Sequence, residues 1–251
     1  MTWASGVTVG VGDLRRAAQL TTERKLPAAV VGVDVPGKAW SEVADTSSAL
    51  RAGTRSAQLS LGVPVTMGGT ALRDVAAGRS DAHWQALGRS LAKLPARPVV
   101  RLTSPADADP EQARQAWRRA AGAIRATGNG RPILEWAAPV GTAPADAVKA
   151  YPGSDVVDVV GVTIHTRRQP WTEAISGAAG VHAWSTWAAQ QGKRIAVHWS
   201  LDTATSTEVA LINDLTHLGA VAKRVAYETT ASVGAAGRDA TATYLALWSR
   251  R

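Results

Sequence analysis

The sequence predicts an α/β fold of one particular kind, a single (β/α)8 TIM barrel occupying residues 1–251 as one domain. Three observations predict it. Eight short runs rich in Val or Ile recur along the chain. Helix-compatible segments alternate with them. The length, 251 residues, suits one such barrel. No Pro/Ser/Gly-rich tract divides the chain. A doubly wound open sheet is the competing architecture. Its phosphate loop would follow the first run, but "VGVGDLRR" holds Gly10 and Gly12 without the full glycine spacing, so nucleotide binding is discounted.

The runs, in order, are "GVTVGV" from Gly6, "AAVVGVDV" from Ala28, "AQLSLGVPV" from Ala57 and "RPVVRLTS" from Arg97. "RPILEWAAPV" from Arg131, "VVDVVGVTIH" from Val156, "RIAVHWS" from Arg194 and "KRVAYETT" from Lys223 complete the set. Their near-continuous apolar character is that of parallel strands buried on both faces.

The clearest helix lies in "DPEQARQAWRRAAGAIRATG". Asp109 caps it, Pro110 takes the first helical position, and Gln112 stands where a capping box wants Glu or Gln. Trp117, Ala120, Ala121 and Ile124 recur at helical spacing, Arg114, Arg118 and Arg125 mark the other face, and Gly128 ends it. "HAWSTWAAQQG" and "STEVALINDLTHLG" read as helices with glycine stops, and "APADAVKAYPG" as a short one. His83, His182 and His217 fall in helical patterns and are read as surface or packing residues.

Composition narrows the function. With no cysteine, disulfides, thiol catalysis and Cys-based zinc sites are excluded. No stretch approaches the ~18 apolar residues of a membrane helix, so membrane insertion is not expected. "MTWASGVTVG" lacks a basic segment before a long apolar run, so no signal peptide is read there. Localisation stays open between a trimmed extracellular domain and a component of a virion or other assembly. The net charge of +8 suits polyanions, but the Arg pairs lie far apart and no basic block interleaves with aromatics, so nucleic acid is disfavoured as a partner. There are ten Trp and no Phe, so Val, Leu, Ile, Ala and some Trp must fill the core, while other Trp faces are available to stack on sugar rings.

In a (β/α)8 barrel the functional residues stand at the C-terminal strand ends. This places Asp34, Arg101, Glu135, Trp136, His165, His198, Trp199, Tyr227 and Glu228 around one mouth, with Trp171 in the loop after the sixth strand. Glu135, Glu228 and Asp34 are the candidate catalytic carboxylates. Each also has a structural reading. Glu135 pairs with Arg101 on the preceding strand, Glu228 caps the pocket, and Asp34 organises the turn at Val35-Pro36-Gly37. Trp136 and Trp199 either form a stacking platform or face the helices, because side chains alternate along a strand. Trp171 is the better candidate for an exposed binding aromatic. His165 and His198 do not make a metal set, and no cofactor is expected.

Several stretches together resemble the β-mannanase-like glycoside hydrolases of family 26. They are "WASGVTVG", "AAGRSDAHWQALGRSL" with Gly78, Asp81 and Trp84, "PVVRL", "AWRRAAGAIR", "YPGSDVVDVVGV" and "WSTWAAQQGKRIAV". The resemblance implies an acid/base glutamate four residues after Arg101 and a nucleophilic glutamate at the end of the seventh strand. Such a retaining pair stands about 5–5.5 Å apart. Pro105 occupies the first position and His198 the second. His165 stands where the resemblance implies a tyrosine. An insertion at the fourth strand would pass the acid role to Asp107 or Asp109, but Asp109-Pro110 reads as a helix start.

The sequence therefore predicts a catalytically degenerate glycosidase-like barrel. It would bind a glycan, possible anionic ones included, through Arg101, Trp136, His165, Trp171, His198, Trp199 and Tyr227, or serve as a structural or adhesive component with protein partners. The alternatives are an active glycoside hydrolase on a β-linked polysaccharide with relocated carboxylates, and a basic scaffold for acidic partners or nucleic acid.

Overall fold

Inward and outward positions alternate along each Val-rich run, and eight such runs in parallel close on themselves. The computed structural model describes residues 4–10, 30–35, 37, 39–41, 43, 58–130, 132–165, 170–200, 221 and 223–231. The strands are β1 (Ala4–Gly10), β2 (Val30–Asp34), β3 (Gln58–Pro64), β4 (Val99–Thr103), β5 (Ile133–Ala137), β6 (Val159–His165), β7 (Arg194–Ser200) and β8 (Val225–Ala231). They form a closed barrel in chain order, with β8 returning to pair in parallel with β1. Every expected run overlaps its strand, with β1 starting two residues before its run and β8 ending one residue after. The helices described are α1 (Leu72–Ala76), α2 (Asp81–Leu91), α3 (Pro110–Thr127), α4 (Pro144–Ala147), α5 (Trp171–Ser176) and α6 (Val181–Gln190). The helix expected in "STEVALINDLTHLG", with His217, lies outside the described residues.

Two apolar layers hold the barrel. Outward residues of the strands, among them Val33, Leu61, Leu102, Leu134, Val162 and Val197, meet the helices in one large core. Inside the barrel, a small cluster of Val30, Val99, Val159, Ala196 and Tyr227 forms a floor near the N-terminal strand ends. Each fully buried Val or Leu contributes about 1.5–3 kcal/mol relative to leaving it in water.

Helix α3 follows the expected pattern. The Asp109 side chain accepts a hydrogen bond from the Gln112 amide at 2.9 Å, Pro110 sits in the first turn, and Gly128 is the C-cap. Such a cap is worth about 1 kcal/mol. Trp117, Ala120, Ala121 and Ile124 are buried against the barrel. On the outer face, Arg118 bonds Asp155 at 2.7 Å, Arg125 bonds Asp158 at 2.9 Å, and Arg119 reaches Asp81 at the start of α2. Asp158 also accepts the Leu134 amide at 2.8 Å, tying this face to the entry of β5. The arginines of this helix that the charge count singled out are thus paired with carboxylates rather than gathered into a basic patch.

Candidate functional site

The register sets which side chains share the barrel interior. Arg101 is level with Glu135 and with Gly62, His198 is level with Thr163 and Thr229, and Thr8 is level with Gly32. Above the apolar floor these residues make a polar middle layer. Glycines make room for the long members. A Cβ on Gly161 would stand 1.9 Å from Glu135 Oε1, and one on Gly62 would stand 2.1 Å from Asp34 Oδ1.

Glu135 is 0% exposed. Its Oε1 is 2.7 Å from His198 Nε2, and its Oε2 accepts a hydrogen bond from the Tyr227 hydroxyl. His198 Nδ1 lies 2.8 Å from Thr229 Oγ1, which accepts from Thr8 Oγ1 at 2.9 Å. Ser60 Oγ lies 3.1 Å from the Tyr227 oxygen. One assignment of hydrogens satisfies the whole chain. Ser60 donates to Tyr227 and Tyr227 to Glu135. From the other side Thr8 donates to Thr229, Thr229 to His198 Nδ1, and His198 Nε2–H to Glu135. All donors converge on one carboxylate, and neither nitrogen of His198 is left over. Burial first, and then the Glu135 charge, pushes the Tyr227 hydroxyl well above its ordinary value of 10 and keeps it a donor.

Arg101 leans away from Glu135 and pairs with Asp34 across Gly62. Burial works against its charge, but Asp34, Glu135 and Tyr227 together outweigh that and raise its pKa further. Its Nε is buried without a partner among the described residues. The expected Arg101–Glu135 pair is therefore replaced by two separate arrangements. Glu135 takes its partners from His198 on β7 and Tyr227 on β8, while the longer Arg101 reaches up to the strand end of β2. Asp34 is a partner for a buried cation, beyond any role in its own turn.

Over this layer opens a cavity of about 770 Å³ at the C-terminal ends of the strands. Thr8, Asp34, Arg101, Thr103, Thr163, His165, His198, Ser200 and Thr229 contribute to its lining. Of the two orientations open to them, Trp136 and Trp199 take the helix-facing one. Trp136 is 2% exposed, and its ring packs on Tyr151 at 5.1 Å and on Trp184 and Trp187 at 6.1 Å, between sheet and helices. Trp199 is equally buried. Its Nε1 donates to Glu228 Oε2 at 3.2 Å, and its ring stacks on Trp171 at 5.8 Å. That contact makes Trp171 a partly buried packing residue rather than an open platform. Tyr227 lies in the floor cluster, beneath Glu135. Glu228, one residue on, points to the opposite side of the sheet, so it neither caps the pocket nor faces it. The common cause is the two-residue period, since Glu135, His198 and Tyr227 point inward and their neighbours must point out.

Sequence reasoning passed over Thr8, Ser60 and Thr229, which complete the hydrogen-bond chain. Their signal was present in "GVTVGV", "QLSLG" and "YETT", each a hydroxyl residue breaking an apolar run. Among the described residues, no group of three His, Asp or Glu side chains converges as metal ligands, and no helix is long and apolar enough to cross a membrane.

No family model matches the sequence, and no curated protein matches it significantly. Solved structures do. A modular endo-β-1,4-mannanase of glycoside hydrolase family 26 from Cellulomonas fimi superposes with a TM-score of 0.70 at 16% identity, over 94% of this chain and 66% of that one. A family 26 β-mannanase from Bacteroides ovatus gives 0.66 at 14% identity, over 99% and 88%. Thermotoga maritima Cel5A, solved in complex with mannotriose, gives 0.66 at 9% identity, over 97% of both chains. The chain spans just under two thirds of the length of the Cellulomonas fimi enzyme. It thus has a TIM-barrel fold like that of glycoside hydrolases.

Proposed function

We propose that this barrel binds a glycan at its C-terminal mouth without cleaving it, as a binding or adhesive component. The observation that carries the reading is the state of His198. It stands where the family 26 resemblance implies a nucleophile, and both of its ring nitrogens are engaged in the buried chain to Glu135 and Thr229. A retaining mechanism needs one carboxylate to attack and another to protonate, about 5–5.5 Å apart. The position for the acid is Pro105, which lines the cavity but has no proton to give. Glu135 lies under the cavity with both oxygens occupied.

The charged side chains lining the cavity among the described residues, histidines aside, are Asp34, Asp146 and Arg101. With no excess of positive charge there, a neutral glycan fits better than an anionic one. The second reading, hydrolysis by relocated carboxylates, has one supporting observation, the 55% exposure of the Asp34 side chain at the mouth.

The test combines calorimetric titration with manno- and gluco-oligosaccharides and a prolonged hydrolysis assay on the corresponding polymers. Saturable binding with no released reducing sugar is expected. Product that disappears in Asp34→Asn would establish the hydrolase instead. Absence of both binding and product would sink the two readings together.

A further inference from the structure

The cavity has two unlike sides. Its β1, β6, β7 and β8 side, continued by Asp34, Arg101 and Thr103, offers hydroxyls, imidazoles and the Arg101–Asp34 pair. The other side lies between the loops that follow β4 and β5. There Pro105, Ala108, Pro139 and Val140 give an aliphatic surface, beside Thr142 and Asp146. Val140 and Val148 are the large hydrophobics found exposed among the described residues, at 50% and 44%. Val140 lies in the loop between β5 and α4 and lines the cavity, whereas Val148 directly follows α4 and is not part of the lining. Val140, with the prolines and alanines beside it in the lining, gives the edge of the polar well an aliphatic surface that an apolar group can cover.

We infer that the ligand is a glycoside carrying a slender apolar substituent, an alkyl or acyl chain, with its sugar in the polar well and its chain along the Pro105–Val140 side. The inference rests on the glycan reading above and adds the chemical class of the ligand. Three features point to a chain rather than a second sugar ring. A pyranose is held by a flat aromatic face. Among the described residues, the indoles bordering this cavity, Trp136 and Trp199, are each only 2% exposed. Alanines, prolines and a valine offer instead a narrow aliphatic surface that loses little side-chain entropy on contact. The apolar side also runs directly into the polar well, so one amphiphilic molecule can occupy both.

The probes are methyl and octyl β-D-mannopyranosides, their gluco counterparts and free octanol, all below micellar concentrations, titrated into the protein and into Val140→Asp. Val140 is exposed and outside the hydrogen-bond chain, so the variant should fold, and an unchanged circular dichroism melt checks this. The octyl glycosides are expected to bind at least about tenfold tighter than the methyl glycosides, a small part of the ~0.8 kcal/mol available per buried methylene. Val140→Asp should cancel most of that gain and leave methyl-glycoside binding in place. Equal affinity for methyl and octyl forms overturns this inference and leaves the glycan reading intact. An octyl advantage that persists in Val140→Asp also overturns it, because the chain then lies elsewhere. Octanol binding as tightly as octyl glycoside shows that the sugar contributes nothing, and the glycan reading falls with it.

Discussion

Two levels of one barrel interior treat carboxylates in opposite ways. At the middle level, Glu135 is sealed from solvent and each of its oxygens accepts a donated hydrogen bond. At the mouth, Asp34 is half in water and holds a single guanidinium, while the facing wall mixes prolines, alanines and the exposed Val140 with Thr142 and Asp146. The difference teaches where chemistry and binding can reside. A buried polar network is stable only when each member is satisfied, and satisfaction removes the lone pairs and protons that catalysis needs. The mouth keeps groups that a ligand can still meet.

The strongest way to break this comparison is Glu135→Ala. It strips acceptors from His198 and Tyr227 where water does not replace them. A loss of about 3–5 kcal/mol in urea unfolding is expected. A loss under about 1 kcal/mol would mean that the middle level is wet or loosely held.

Next in size is Gly161→Ala. The new methyl carbon would fall on Glu135 Oε1, so the barrel must shift or the carboxylate must leave its partners. The expected loss is about 1–3 kcal/mol by the same measurement. Because Gly161 has no side chain and makes no polar contact of its own through one, this variant isolates crowding of the carboxylate.

Alkaline pH sharpens the contrast in another way. The folded pKa of Tyr227 is raised above its unfolded value, so the neutral phenol is favoured in the native state. That contribution is complete below about pH 10 and is lost as pH rises through the folded value. The stability difference between the parent and Tyr227→Phe should therefore be constant from pH 7 to 9 and shift against the parent above it. A difference that stays flat to pH 11 would show that neither burial nor Glu135 holds the phenol in its neutral form.

The smallest effect belongs to the mouth. Asp34→Ala is expected to cost about 1–2 kcal/mol, because the 55% exposed Asp34 side chain leaves room for water at the outer end of the buried Arg101. A cost equal to that of Glu135→Ala would erase the distinction between the two levels.

Much of this architecture was legible in the chain. Strands buried on both faces must be apolar at nearly every position, so eight Val-rich runs announced eight strands, and Asp109, Pro110 and Gly128 announced the limits of α3. The mouth followed from the fold, since C-terminal strand ends converge there. The choice of which alternate residue points inward was harder to read. In "LEW", "VHWS" and "AYET", polar and aromatic residues are neighbours, and either could face the axis. With Glu135 and His198 facing in, alternation puts Trp136 and Trp199 on the helix side, and that is where they lie. Tyr227 and Glu228 carried no such signal.

What the sequence determined by itself is therefore the fold, because apolar period is a local property of the chain. What only the tertiary structure decided is pairing. Thr8 and Thr229 are 221 residues apart and Tyr227 and Glu135 are 92 apart, yet they join one hydrogen-bond chain. Closure of the barrel brings them level, and Gly62 and Gly161 leave the space in which Arg101 turns to Asp34 and Glu135 turns to His198. Partners across a closed sheet are set by register and by the volume of side chains on other strands, neither of which a single run of residues contains.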